Sequence, residues 1–369
     1  MVINRTLKAA ASSRRLAAGH SAATVLRYSS GLKRALAQLT LVLVVIWLTA
    51  SSFAQENITL AGSGGSSPLA VFRAWADQYN KRKPSVHVQY LTLDTDRSIA
   101  EISHGSGDFG GGDIPLTPEQ RNLANLVEMP ILIIGVVPVY NLPGPPQQLR
   151  FSGDLLAQIY LGHIKKWNAP QIAQLNPKAS LPDLPIKVFY RTPGKGTNYI
   201  FTEFLSKSNA EFRVKVGRST SPPWPIGAAA ERATDMIDKV AGEPGAIGFV
   251  SLEYAREKNI SAGEVLNAAG KFVKASPASL IAACSAVEAP LWDKFAVSLT
   301  NAPGADSYPI ASFSWIYLPK VGVDPRRRAA LVDLMNWMFT EGQENMLPGY
   351  SSLPGKLLAK EITKLDMLK

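Results

Sequence analysis

The sequence is poor in the side chains that cross-link chains or carry metal and acid–base chemistry. One cysteine occurs among 369 residues, so an intrachain disulfide is excluded. That residue, Cys284, sits in the apolar stretch SLIAACSAV and reads as a buried small hydrophobe; its position also leaves no cysteine for lipid attachment near residue 55. Four histidines occur, and the three beyond residue 54, His87, His104 and His163, lie well apart. With no H-E-x-x-H pair and no acidic cluster, a metallohydrolase finds no support. No apolar run reaches the roughly 20 residues of a spanning helix. No internal repeat or low-complexity tract is present.

The strongest apolar run, LTLVLVVIWLTA (39–50), follows Lys33 and Arg34 and precedes Ser52-Phe53-Ala54, a small-x-small pattern. This predicts a secretory signal over residues 1–54, cut after Ala54, and a periplasmic product. The formal charge of +10 belongs mostly to that leader, which holds seven Lys or Arg and no acid. The remainder has 32 basic and 29 acidic residues, a balance of +3, and a nucleic-acid partner loses its support.

From Gln55 onward, 315 residues exceed the roughly 250 to 300 at which one core usually divides, so two lobes are expected. Strand-like and helix-like patterns alternate, which indicates an α/β class. NITLA (57–61), VHVQYLTL (86–93), IKVFYR (186–191) and GAIGFV (245–250) read as strands. ILIIGVVPVYN (131–141) and YPIASFSWIYLP (308–319) are long enough to cross between lobes. Pro68 opens a helix through Leu69, Phe72, Ala76 and Tyr79, Asp94 or Thr95 caps another, and Asp324-Pro325 begins the last major one. Arg326, Arg327 and Arg328 read as a solvated face of that helix, and Trp224 as a packed loop anchor.

Four turns carry anion-binding chemistry. RTPGKGTNYIFTEFL (191–205) leads from an arginine through Gly-Lys-Gly-Thr into an apolar helix, with Thr197 as candidate cap and the Gly196 and Thr197 amides open to an anion. Lys195 there opposes the helix dipole unless an anion lies between them. AGSGGSSP (61–68) brings Ser66 and Ser67 to a second helix start, DTDRS (94–98) forms a third, and DFGGGDIPL (108–116) ends a strand with Asp113 as an acceptor. Ser67 stands where a dinucleotide loop needs its last glycine, and Gly-Lys-Gly-Thr lacks the Walker order. Each turn alone reads as an ordinary cap, ion pair or turn. Four in one α/β chain point to a cleft at the carboxyl ends of the strands.

The order GSGGSSP, VQYLTLDT, DFGGGDIPL, IYLGHIKKWN (159–168), RTPGKGT, WPIG (224–227) and PGAIGFV (244–250) resembles the periplasmic phosphate-binding proteins of bacterial phosphate ABC importers. The likeness runs from about Thr59 to the strand near Ile316 and the helix after it. It implies a bilobed type II solute-binding fold, two α/β lobes joined by hinge strands, with lobe 1 formed by 55–134 plus 304–369 and lobe 2 by 135–303. It implies a monomer that takes inorganic phosphate in the periplasm and hands it to the membrane permease subunits, without cofactor and without catalysis. Carried over position by position, the phosphate contacts fall on Ser66, Ser67, Thr95, Asp113, Arg191, Lys195, Gly196 and Thr197. The family has threonine at Ser66 and serine at Thr95, hydroxyl for hydroxyl. It has serine at Lys195 and, at Pro193, an aspartate that pairs with the arginine, so the site here is more positive unless Asp94 and Asp96 offset Lys195 or that side chain turns to solvent. Two readings stay open: a receptor or sensor for another oxyanion on the same fold, and a secreted phosphatase.

Overall fold

The computed structural model describes residues 38–40, 57–123, 125–287, 297–320, 323–366 and 368. Apart from 38–40, the predicted signal and its Ala54 cleavage point lie outside the described residues. Eleven strands occur among them: β1 (Ile58–Gly64), β2 (Val86–Thr92), β3 (Phe109–Gly112), β4 (Leu126–Tyr140), β5 (Arg150–Phe151), β6 (Lys187–Arg191), β7 (Ala228–Ala230), β8 (Ala246–Ser251), β9 (Glu264–Leu266), β10 (Phe272–Val273) and β11 (Ala311–Pro319). Eight form one sheet in the order β2-β1-β3-β11-β4-β8-β6-β7, and β10-β9-β5 form a small second sheet.

The predicted strands appear with ends shifted by a few residues. The largest shift is in β4, which starts at Leu126 and is buried along nearly its whole length. Residues buried on both faces form a continuous apolar run rather than an alternation. β4 changes partner midway: Leu126–Gly135 pairs with β11, and Val136–Tyr140 pairs with β8. Pro130 has no N–H for the ladder, and it falls at the register shift between Ser314 and Trp315 of β11, where a bulge removes the need for one.

Strand direction places the functional edge. β1, β2 and β3 run parallel; β11 is antiparallel to β3 and β4, β8 is antiparallel to β4, and β6 and β7 run with β8. The carboxyl ends of β1–β3 therefore point toward those of β6–β8. Through Trp315, Gly112 at the end of β3 is level with Pro130, whereas Ser251 at the end of β8 is level with Val136. At about 3.3 Å per residue the two sets of ends face each other over about 20 Å along β4.

Helices cover both faces. The Leu69–Arg82 helix buries Val71, Phe72, Trp75, Ala76 and Tyr79, a stripe at three- and four-residue spacing. The Pro325–Phe339 helix is capped as expected by Asp324, whose carboxylate accepts from the Arg326 and Arg327 amides. The arginines after it are not all a solvated face: Arg327 forms a bidentate pair with Asp108, Nη2 to Oδ2 2.6 Å, and Asp108 is only 3% exposed. A buried carboxylate needs such a partner. Cys284 is buried and unpaired, its thiol pushed up to about 12 by desolvation. Trp224 packs against Tyr190, Tyr160 and Phe249.

Candidate functional site

All eight sequence-predicted site residues line one cavity of about 610 Å³. They arrive on the turns that follow β1 (Ser66, Ser67), β2 (Thr95), β3 (Asp113) and β6 (Arg191 to Thr197). The chain is held tightly where the turns meet. A methyl group on Gly196 would lie 2.7 Å from the Asp113 Cβ and 3.1 Å from the Thr95 hydroxyl, so only glycine lets the Gly196–Ser208 helix approach that carboxylate. The Asn198 side chain fixes the arginine turn by donating to the carbonyls of Arg191 and Thr192 at 3.0 and 2.9 Å.

One cap differs from expectation. Lys195 occupies the N-cap of the Gly196–Ser208 helix, and Thr197 lies inside the first turn. A threonine that caps would spend its hydroxyl on the backbone; here the Thr197 hydroxyl is buried with no partner among the described residues. The Thr95 hydroxyl is in the same condition. Asp94 takes the N-cap position of the Thr95–Ser103 helix, but its carboxylate makes no cap bond and turns instead to Lys195.

The charged groups divide by task. Arg191 is 2% exposed and forms no ion pair among the described residues; its guanidinium donates to the carbonyls of Ala230 and Glu231 at 3.3 and 2.9 Å. Burial pulls its pKa down, while Tyr254, Glu231, Asp94 and Asp235 hold it up. A buried cation with only neutral acceptors is incompletely compensated and favours an anion beside it. Asp113 is 1% exposed. Burial pushes its carboxyl up to about 6 against hydrogen bonds from Ser67 and Ser314 and the charge of Arg191. Ser314 donates to Asp113 Oδ1 at 3.1 Å and to the Gly112 carbonyl at 3.2 Å.

Lys195 faces the cavity but its ammonium is occupied. It is paired with Asp94 and, at 2.7 Å, with Glu231. The Thr192 hydroxyl donates to the other Glu231 oxygen at 2.8 Å. Asp94 thus offsets the lysine as expected, whereas Asp96 accepts from Thr220 at 2.7 Å. The Lys195 side chain is 12% exposed and does not turn to solvent.

Sequence reasoning missed a fifth turn. β7 lies parallel to β6 and delivers Glu231, Arg232, Ala233 and Thr234 to the cavity. Tyr254, on the helix after β8, closes another side, its hydroxyl donating to the Ser66 carbonyl at 3.4 Å. Arg73 and Arg97 line the wall on the side of β1 and β2.

Two sets of strand ends face each other over a cavity lined by charged and hydroxyl side chains, with loops of both sets in its wall, the arrangement of a solute-binding protein. A family model described as a PBP superfamily domain matches residues 49–341. The chain is 36% identical over 290 residues to the phosphate-binding protein PstS of Xylella fastidiosa strain Temecula1, covering 78% of this chain and 79% of that one. It is 35% identical to PstS of Haemophilus influenzae, covering 81% and 90%. The solved structure of the high affinity periplasmic phosphate-binding protein PfluDING, bound with phosphate, superposes with a TM-score of 0.67 at 19% identity, covering 83% of this chain and 93% of that one. The chain therefore belongs to the PstS phosphate-binding proteins of the PBP superfamily. Its fold is the bilobed α/β fold of type II solute-binding proteins.

Proposed function

We propose that this protein binds inorganic phosphate in the periplasm and delivers it to the membrane permease subunits of an ABC-type phosphate importer, acting as a monomer. One observation carries the ligand class. Among the described residues a buried guanidinium without a carboxylate partner, Arg191, shares a cavity with two buried hydroxyls that lack partners, those of Thr95 and Thr197. Unpaired donors and an unpaired cation are each unfavourable when buried, and a tetrahedral oxyanion relieves all of them together.

In this reading Arg191 makes charge-assisted bonds to two oxygens. The Ser66, Ser67, Thr95 and Thr197 hydroxyls and the Gly196 and Thr197 amides satisfy the remaining lone pairs, with the helix dipole adding attraction. Asp113, ionised above its pKa of about 6, accepts the proton that monohydrogen phosphate carries at neutral pH. Sulfate has no such proton and sets an oxygen lone pair against the carboxylate. The mismatch is worth about 1–3 kcal/mol, or roughly 5- to 150-fold in affinity.

The lobes are read as 55–134 plus 304–369 and 135–303. The partner change of β4 at Gly135 and Val136 supports that division. Binding without turnover is favoured by the lining: no described residue in the cavity wall is a histidine, and its one lysine is held by two carboxylates, so the serines have neither an imidazole nor a free amine as base beside them. Among the described residues no helix is long and apolar enough to cross a membrane. Calorimetric titration of protein from residue 55 onward with phosphate, arsenate, sulfate and molybdate, beside a phosphomonoesterase assay, tests the proposal. Phosphate and arsenate binding with weak sulfate binding is expected. Preference for molybdate or sulfate would make it a receptor for another oxyanion, and turnover lost in Ser66→Ala would make it an enzyme.

A further inference from the structure

We infer that Lys195, Asp94 and Glu231 form a clasp across the cleft, with Lys195 acting as a positioning residue rather than an anion ligand. For its effect on ligand release the inference rests on the phosphate-binding reading above; for its effect on lobe closure it does not.

The clasp has a fixed side and a moving side. Glu231 follows β7 and Lys195 follows β6, so both belong to the lobe built on β6–β8. The Thr192 hydroxyl, 2.8 Å from Glu231 Oε2, aims the carboxylate at the lysine, whose Nζ lies 2.7 Å from Oε1. The lysine pulls the Glu231 carboxyl below its ordinary range, with Thr192 adding to the effect. Asp94 follows β2 on the opposite lobe and reaches the same ammonium across the cleft. Gly194, at φ 84°, permits that approach: a side chain there would meet the Asp94 Cβ at 3.2 Å. A second bond crosses two residues away, where the Thr220 hydroxyl donates to Asp96 at 2.7 Å.

Thr95 lies between Asp94 and Asp96. Docking the acidic turn onto Lys195 and Thr220 therefore sets the position of the Thr95 hydroxyl, a cavity donor without a partner among the described residues, against Gly196. Every donor and acceptor in these contacts belongs to the protein. A cation at a helix N-terminus is disfavoured by the dipole, so Lys195 needs carboxylates, and one of them comes from the opposite lobe. The pairs draw the two lobes together, and ligand leaves only after an ion pair has opened. Preorganisation of this kind acts on release more than on encounter.

The test uses full-length mature protein and the variants Lys195→Ser, Lys195→Arg, Asp94→Asn and Lys195→Ser with Asp94→Asn. Lobe opening is measured without ligand by small-angle scattering or single-molecule energy transfer at low and high sodium chloride, and phosphate release by stopped flow. The ligand-free wild type is expected to open as salt rises, since the carboxylate ends of the clasp, Asp94 and Glu231, are exposed and their attraction to Lys195 is screened. Lys195→Ser and Asp94→Asn are expected to be open already at low salt and to release phosphate about 1.5- to 5-fold faster, a range set by partly exposed pairs. The double variant should be no worse than either single one, and Lys195→Arg should resemble the wild type. Equal ligand-free opening in wild type and Lys195→Ser, or additive effects in the double variant, would overturn the clasp while leaving phosphate binding intact. If phosphate does not bind at all, the salt-dependent opening still decides the clasp.

Discussion

Replacing Asp113 by asparagine should separate stability from recognition. The carboxyl is 1% exposed, and burial raises its pKa from 3.8 to about 6. A group whose folded-state pKa is raised stabilises the fold most below its unfolded pKa, and that stability is lost as pH climbs from about 4 to about 6. A rise of that size corresponds to about 2–3 kcal/mol, so at pH 7.5 the ligand-free protein carries an ionised carboxylate that disfavours folding by about that amount. The amide of the variant removes the charge in nearly the same volume, and the Ser314 hydroxyl already has a second acceptor in the Gly112 carbonyl, 3.2 Å away. Asp113→Asn is expected to melt higher than wild type at pH 7.5 by a few degrees, at about 1–3 °C per kcal/mol for a chain of this size. At pH 4 the difference should vanish. Phosphate affinity should fall, and the phosphate-to-sulfate ratio should drop by roughly the 5- to 150-fold assigned to the proton contact. Scanning calorimetry across pH 4–8 beside titration calorimetry reads both. A variant less stable than wild type at every pH, or one with unchanged anion preference, would refute the reasoning.

Thr95→Val and Thr197→Val delete hydroxyls that have no partner among the described residues; each should leave ligand-free melting unchanged or higher while weakening phosphate binding by about 0.5–1.5 kcal/mol, measured by titration. Gly196→Ala forces a methyl to 2.7 Å from the Asp113 Cβ, and chemical denaturation should show a loss of about 1–3 kcal/mol together with weaker binding. Arg327→Met leaves Asp108 buried and without its charged partner; a loss of about 2–4 kcal/mol in stability with little change in affinity is expected from the same two assays.

The four turns were legible because glycine, serine, threonine and aspartate between a strand and a helix have few other uses. The crossing strand was legible because burial on both faces leaves an uninterrupted apolar run. The fifth turn was not, since β7 is three alanines followed by Glu-Arg, with neither branched residues nor a glycine to mark a strand end. The cap of the Gly196–Ser208 helix was misplaced by two residues because Thr197 satisfies the cap preference as a type, and only geometry shows that Lys195 holds the position. The partners of the charged groups depend on tertiary approach. Glu231 lies 36 residues from Lys195, and Ser314 lies 201 residues from Asp113. The two- and three-residue strands β5, β9 and β10 are too short to leave a periodic signal.

The long β4 strand also has a mechanical meaning. Because it pairs with β11 along one half and with β8 along the other, each lobe carries its own rungs as it moves, and sliding of one lobe past the other is resisted by the unbroken backbone at Gly135 and Val136. Torsion of the ribbon about its own length leaves those rungs intact. The permitted motion is therefore a twist with little translation, and opening at the mouth of the cleft becomes rotation at its base.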